Sequence, residues 1–86
     1  MAFRVVLEAA AKKELAALDK PVQRRIAAFI DRLQELQDPT STGHALTGPY
    51  MGLWTYRVGD MRLIAEIDRG RVVITVIKIG NRKEVY

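Results

Sequence analysis

The chain has no cysteine and a single histidine, His44. The first absence excludes a disulfide framework, a thiolate metal site and a cysteine nucleophile. The second excludes a histidine cluster for a metal, and it leaves any serine-type triad only one possible base. No apolar run approaches the roughly 20 residues that a membrane-spanning helix needs. At the N-terminus, Arg4 and Glu8 flank only three apolar residues, so no secretory signal pattern is expected, and neither is a membrane location. Aromatic residues are few, at 7%.

What is present is a short, moderately basic chain. Its 86 residues, 49% of them hydrophobic, amount to one small domain over 1–86 with a marginal core. The net charge is +4 and it is uneven. Residues 1–49 hold seven basic and six acidic side chains, whereas residues 50–86 hold seven and four. The surplus of three in the second part points to an anionic partner there, or to a solubilising surface.

The hydrophobic pattern changes period along the chain. Phe3 to Leu7 is short, β-branched and aromatic, which predicts a strand. Leu7, Ala11, Leu15 and Leu18 then form one helical stripe, predicting an alanine-rich helix from about Glu8 to Leu18. Asp19-Lys20-Pro21 stops it and starts a second helix, with Asp19 placed to cap free backbone N–H groups. Val22, Ile26, Phe29, Ile30, Leu33 and Leu36 keep a 3.6-residue period until Asp38-Pro39. Residues 38–52 read as a loop containing His44, a solvated side chain in this reading. Three strands follow: 53–58, 61–68 and 72–79, the first two joined by the two-residue turn Gly59-Asp60. The order β-α-α-β-β-β predicts an α+β fold, an antiparallel sheet with the two helices packed on one face.

A two-residue turn sets the hairpin register. Val58 faces Met61, Arg57 faces Arg62, Tyr56 faces Leu63, Thr55 faces Ile64 and Trp54 faces Ala65. One face collects Trp54, Tyr56, Val58, Met61, Leu63, Ala65 and Ile67 as the core. The other collects Thr55, Arg57, Arg62, Ile64, Glu66 and Asp68. Two arginines directly opposite each other are unfavourable unless an anion, a carboxylate such as Glu66, or splaying into solvent relieves them. Arg82, Lys83 and Tyr86 follow the last strand, and they join the same patch if that strand is central. Guanidinium forks match phosphate oxygens, and a tyrosine stacks on a base, shuttles a proton or simply packs on the core.

These residues carry a resemblance. Leu46-Thr47-Gly48, the run Trp54 to Ile64 containing YRVGDMRLI, and the ending IGNRKEVY resemble the RelE branch of the RelE/ParE toxin superfamily. The resemblance implies a toxin of a type II toxin–antitoxin system. It implies a metal-independent endoribonuclease, without cofactor, that cleaves messenger RNA on the ribosome by attack of the 2′-hydroxyl. Carried over, Arg62 stabilises the charged transition state, Arg82 binds phosphate and assists the leaving group, and Tyr86 activates the 2′-hydroxyl or stacks on substrate. Arg57, Lys83 and Lys78 are the phosphate-binding positions. The implied partners are a cognate antitoxin, messenger RNA and the ribosome, with promoter DNA reached only through the antitoxin. The implied setting is cytoplasmic. Ile64, Ile77 and Ile79 either form part of the antitoxin-docking surface or are simply buried. The chain departs from the best-studied branch in carrying Thr55 and Arg57 where two lysines stand, and Ala65 where an aromatic is common. A ParE-like inhibitor of DNA gyrase and a degenerate binding module are the alternatives.

Overall fold

The computed structural model describes residues 3–81. In chain order the elements are β1 (Arg4–Leu7), α1 (Ala9–Ala16), α2 (Lys20–Glu35), β2 (His44–Ala45), a 3-10 turn at Gly48–Tyr50, β3 (Trp54–Val58), β4 (Met61–Asp68) and β5 (Val73–Asn81). The five strands form one sheet in the order β1-β5-β4-β3-β2. The predicted α+β layout holds, with one difference in strand direction and one added strand. β1 pairs parallel to β5, so the sheet is mixed. No tight turn joins β1 to its partner: both helices and the strands β2 to β4 lie between them in the chain, ample length for parallel pairing. β2 is a two-residue edge strand inside the stretch read as loop.

Both helices form for local reasons. Half of α1 is alanine, the strongest helix former, and only Ala11 is buried along it. α2 buries Ile26 and Leu33 and has Pro21 in its first turn, where the missing N–H costs nothing. Asp19 occupies the N-cap position, but its side chain makes no capping hydrogen bond, contrary to expectation. Gln23 closes the joint instead. Its Nε2 donates to the carbonyls of Leu18 at 2.7 Å and Ala16 at 3.2 Å, satisfying the end of α1.

The core lies between the helices and one sheet face. Tyr56, Leu63, Ala65, Ile74 and Val76 come from the strands, and Ile26, Leu33 and Ala11 from the helices. β5 changes phase within this layer. Leu63 pairs with Ile79 and Ile64 with Lys78, yet Ala65 pairs with Val76, so Ile77 is the extra residue of a β-bulge. Ile74 and Val76 therefore share the core face with Ile79 despite their different parity. Outer-edge groups are covered as well: Val5 N–H donates to Gln34 Oε1 of α2 at 3.1 Å.

Val72 precedes β5 with φ at +59°, a left-handed conformation that a β-branched side chain resists. Its carbonyl accepts from Arg4 N–H at 3.0 Å, which helps hold the conformation. The side chain is exposed and buries little. Val72→Gly is thus expected to stabilise the fold by about 0.5–1 kcal/mol, strain relief outweighing the added unfolded-state freedom. A higher denaturant midpoint at unchanged slope is the expected readout, and a lower midpoint contradicts it.

Candidate functional site

The β3–β4 hairpin builds the helix-free face. Gly59 has φ at +61° and Asp60 does not share it, the combination of a type II′ turn with glycine first. That turn matches the right-handed twist of the strands and fixes the count of residues on either side. The pairing is the one expected from the sequence: Val58 with Met61, Arg57 with Arg62, Tyr56 with Leu63, Thr55 with Ile64 and Trp54 with Ala65. Side chains directly opposite in this way have Cβ atoms about 5 Å apart. Arg57 is exposed and Arg62 half-buried. On the next strand Gly80, with no side chain, stands opposite Arg62, and Asn81 stands opposite Met61. The last residues of β5 thus run beside the arginine pair. Two arginines paired across the ladder concentrate positive charge that an oxyanion relieves, with forked donors suited to phosphate.

Charge along the face is polarised. The turn end carries Arg57 and Arg62. The opposite end carries Arg4, Glu66, Asp68, Arg71 and Thr75 around a shallow depression of about 400 Å³. There Arg71 Nε lies 3.9 Å from Asp68 Oδ2, and Arg71 N–H donates to Asp68 Oδ1 at 3.0 Å. That end holds an ion pair of its own, whereas the turn end sets two arginines opposite each other beside Asp60 of the turn. Between them Thr55 and Ile64 are buried, at 3% and 2% exposure, although they lie away from the helices. Ile79 is also buried. Ile64 and Ile79 are therefore not surface available for docking, and only Ile77 of the three suggested residues stays half-exposed.

Lys78 and His44 are placed differently from expectation. Lys78 Nζ lies 3.2 Å from Glu14 Oε2 of α1, and the other oxygen of Glu14 accepts from Ile79 N–H at 2.9 Å. β1 pairs with β5 only as far as Val76, so Glu14 covers backbone that β1 does not reach. The charge of Lys78 is engaged there, on a groove of about 390 Å³ that also has Leu18, Met61 and Asn81 in its wall. His44, read from sequence as a solvated loop residue, belongs to β2 and pairs directly with Thr55. It thereby joins the face of Arg57 and Arg62. No local pattern announces this, since two residues show no periodicity. The pairing follows from the fold-back of Leu46 onto Leu53, whose carbonyl accepts the Leu46 N–H at 2.9 Å. Arg82, Lys83 and Tyr86 lie outside the described residues. Among the described residues there is no group of three or more side chains suited to hold a metal ion, and no helix long and apolar enough to cross a membrane.

The geometry can be set beside known proteins. The family model of the ParE toxin of type II toxin–antitoxin systems, parDE, matches residues 5–86. No curated protein sequence matches the chain. Among solved structures, a chain of the RelBE2 toxin–antitoxin complex from Mycobacterium tuberculosis is similar, with a TM-score of 0.87 and 20% identity over 95% of this chain and 100% of that one. A chain of the archaeal RelE–RelB complex from Pyrococcus horikoshii OT3 is 28% identical, with a TM-score of 0.76 over 99% of this chain and 100% of that one. The isolated E. coli RelE toxin is 21% identical, with a TM-score of 0.77 over 99% of this chain and 92% of that one. The first and third of these are likenesses of fold.

Proposed function

We propose that this chain, which belongs to the ParE toxin family of type II toxin–antitoxin systems, cleaves messenger RNA and is held in check by a cognate antitoxin. The observation that carries this reading is the Arg57–Arg62 pair, set side by side on the helix-free face with Gly80 next to it. A nuclease that lets the RNA's own 2′-hydroxyl attack the neighbouring phosphate chiefly has to stabilise the negative charge that builds on the phosphorus oxygens. Preorganised guanidinium donors do this without reorganising at the moment of reaction. Arg62, half-buried and central, takes the role of transition-state stabiliser, and exposed Arg57 positions the phosphate.

Arg82 follows directly on β5, which ends beside Arg62, and is assigned to phosphate binding and the leaving group. Tyr86 is assigned to the 2′-hydroxyl or to base stacking, and Lys83 to flanking phosphates. Lys78, engaged by Glu14, contributes its charge from a distance. The ribosome presents the substrate, and the setting is cytoplasmic. The antitoxin is proposed from the toxin–antitoxin complexes among the similar structures, and DNA recognition is assigned to it.

The matching family model is that of ParE toxins, and the ParE-like resemblance supplies a second reading, a toxin acting on DNA gyrase. One induction experiment separates the two. Primer extension on cellular messenger RNA is expected to show new ends within minutes of induction, with plasmid supercoiling unchanged. Growth arrest with intact messenger RNA and relaxed or trapped plasmid selects the gyrase reading and ends the nuclease one.

A further inference from the structure

Attack by a 2′-hydroxyl moves two protons, one off the attacking oxygen and one onto the departing 5′ oxygen. Arginine does neither, because the guanidinium keeps its proton. The arginine pair thus supplies charge for the phosphate but no proton acceptor, and the nearest carboxylates, Asp60 of the turn and Glu66 on β4, are exposed. Histidine is the side chain that exchanges a proton near neutral pH, and this chain has one.

The register brings it to the site. His44 pairs with Thr55, and Thr55 stands two residues from Arg57 on β3, so the three share a face. From strand spacing and rise, the Cα of His44 lies about 8 Å from that of Arg57 and about 12 Å from that of Arg62. A phosphate held by the two guanidinium groups is within reach of the imidazole. The order of strands adds a second constraint. In-line displacement puts the attacking and departing oxygens on opposite sides of phosphorus. The end of β5 runs beside Arg62 on one side, and on the other β2 begins at His44, two residues along β3 from Arg57. The face therefore offers one flank to each oxygen.

Thr55 points the same way independently. Its Oγ1 is buried and has no hydrogen-bond partner, a costly state for a hydroxyl. It lies directly across the ladder from His44. A base held by a third group is the recurring arrangement in which an imidazole keeps the tautomer and aim that its reaction needs.

We propose that His44 is the general base of the RNA cleavage inferred above, which leaves Tyr86 the base-stacking role, and that the Thr55 hydroxyl, unpartnered in this structure, orients the imidazole once substrate is bound. The step balances as follows. The imidazole nitrogen takes the proton of the 2′-hydroxyl. The 2′ oxygen forms its bond to phosphorus while Arg57 and Arg62 hold the oxyanion. The bond from phosphorus to the 5′ oxygen breaks, that oxygen takes a proton from water, and the hydroxide left takes the proton back from the imidazolium, which returns to its neutral form. The products are a 2′,3′-cyclic phosphate and a 5′-hydroxyl. The charged groups near His44 on this face are Arg57 on β3 with Arg62 and Glu66 on β4. β2 is the edge strand, so no further strand supplies one from outside.

The inference rests on the nuclease reading, and its test separates the two. Single-turnover cleavage of messenger RNA on programmed ribosomes is measured from pH 5.5 to 8.5 with wild type, His44→Ala and Thr55→Val. Wild type is expected to accelerate with pH and then level off. His44→Ala should lose roughly 100-fold or more, follow pH without the plateau, and recover in added imidazole. Thr55→Val should keep the plateau at a lower rate. A His44→Ala protein that cleaves at the wild-type rate, or that is slower but keeps the wild-type pH profile and ignores imidazole, overturns the assignment while the nuclease reading stands. A wild-type protein that leaves RNA intact overturns both. Unchanged melting of the His44→Ala protein removes loss of fold as the cause.

Discussion

Arg62→Ala is expected to lower RNA cleavage by about 30- to 1000-fold, the equivalent of roughly 2–4 kcal/mol of transition-state stabilisation. The expectation follows from its place. Arg62 is on the central strand of the sheet, flanked by Arg57 on one side and Gly80 on the other. Half-burial restricts its rotamers, so its donors are held before the substrate arrives. Arg57 is exposed, is better screened and should matter less, so Arg57→Ala is expected to cost a smaller factor. Removing either arginine also removes a like-charge cross-strand pair, which stabilises the fold by a few tenths of a kcal/mol. For Arg62 that gain is opposed by lost packing of its aliphatic stem. Activity and stability should therefore separate: a large fall in single-turnover rate with a melting temperature near that of wild type. Arg62→Lys should recover only part of the rate, because an ammonium is a point charge without the fork. An Arg62→Ala protein that still cleaves messenger RNA and arrests growth as wild type does refutes the site.

The hairpin and its arginine pair were legible because one local device controls them. Gly59 in a two-residue turn leaves a single register, and alternation then sorts every side chain from Trp54 to Asp68 between the faces. The helices were legible for the same reason: alanine content in one, strict periodicity in the other. What was not legible depends on distant partners. The parallel pairing of β1 with β5 joins the first and last strands of the fold, which no local pattern announces. The bulge leaves a trace in Ile74, Val76, Ile77 and Ile79, whose two phases do not fit one alternating strand. The ion pair of Lys78 with Glu14 spans 64 positions and arises because β1 is shorter than β5. His44 was missed because β2 has only two residues, and its membership of the face exists only through pairing with Thr55. The residues that set electrostatics were readable from turn chemistry, whereas the one proposed to move a proton was readable only from the assembled sheet.

Tyr56 holds that assembled sheet to its loop, and its replacement should be the most damaging single change to stability. The ring is fully buried on the core face of β3, 5.7 Å from the Phe29 ring in a tilted arrangement. Its hydroxyl donates a short hydrogen bond to the Pro39 carbonyl, 17 positions away in the loop after α2. Gly43 lies against the same ring; a Cβ there would sit 2.8 Å from Tyr56 Cε1. Tyr56 thus pins both the start of the loop and the residue before His44. Tyr56→Ala should cost about 3–5 kcal/mol as a cavity in a small core, enough to unfold a marginal domain. Tyr56→Phe keeps the ring but strands the Pro39 carbonyl, and should cost about 1–3 kcal/mol. Burial, with Asp38 adding to it, pushes the phenol from 10.0 up to about 12. A folded value above the unfolded one means that this contribution is complete below pH 10. It fades as pH rises toward 12, because the unfolded chain ionises first. The loss over that interval is about 2–3 kcal/mol at 1.36 kcal/mol per pH unit. Denaturant midpoints at pH 7, 9, 10 and 11 should therefore fall more steeply above pH 10 for wild type than for Tyr56→Phe. Parallel declines would show that the phenol is not held neutral. If Tyr56→Phe still folds at pH 7, its loop is the part that loosens. RNA cleavage should then fall along with the order of β2, because the imidazole that β2 carries reaches the arginine pair only while His44 stays paired with Thr55.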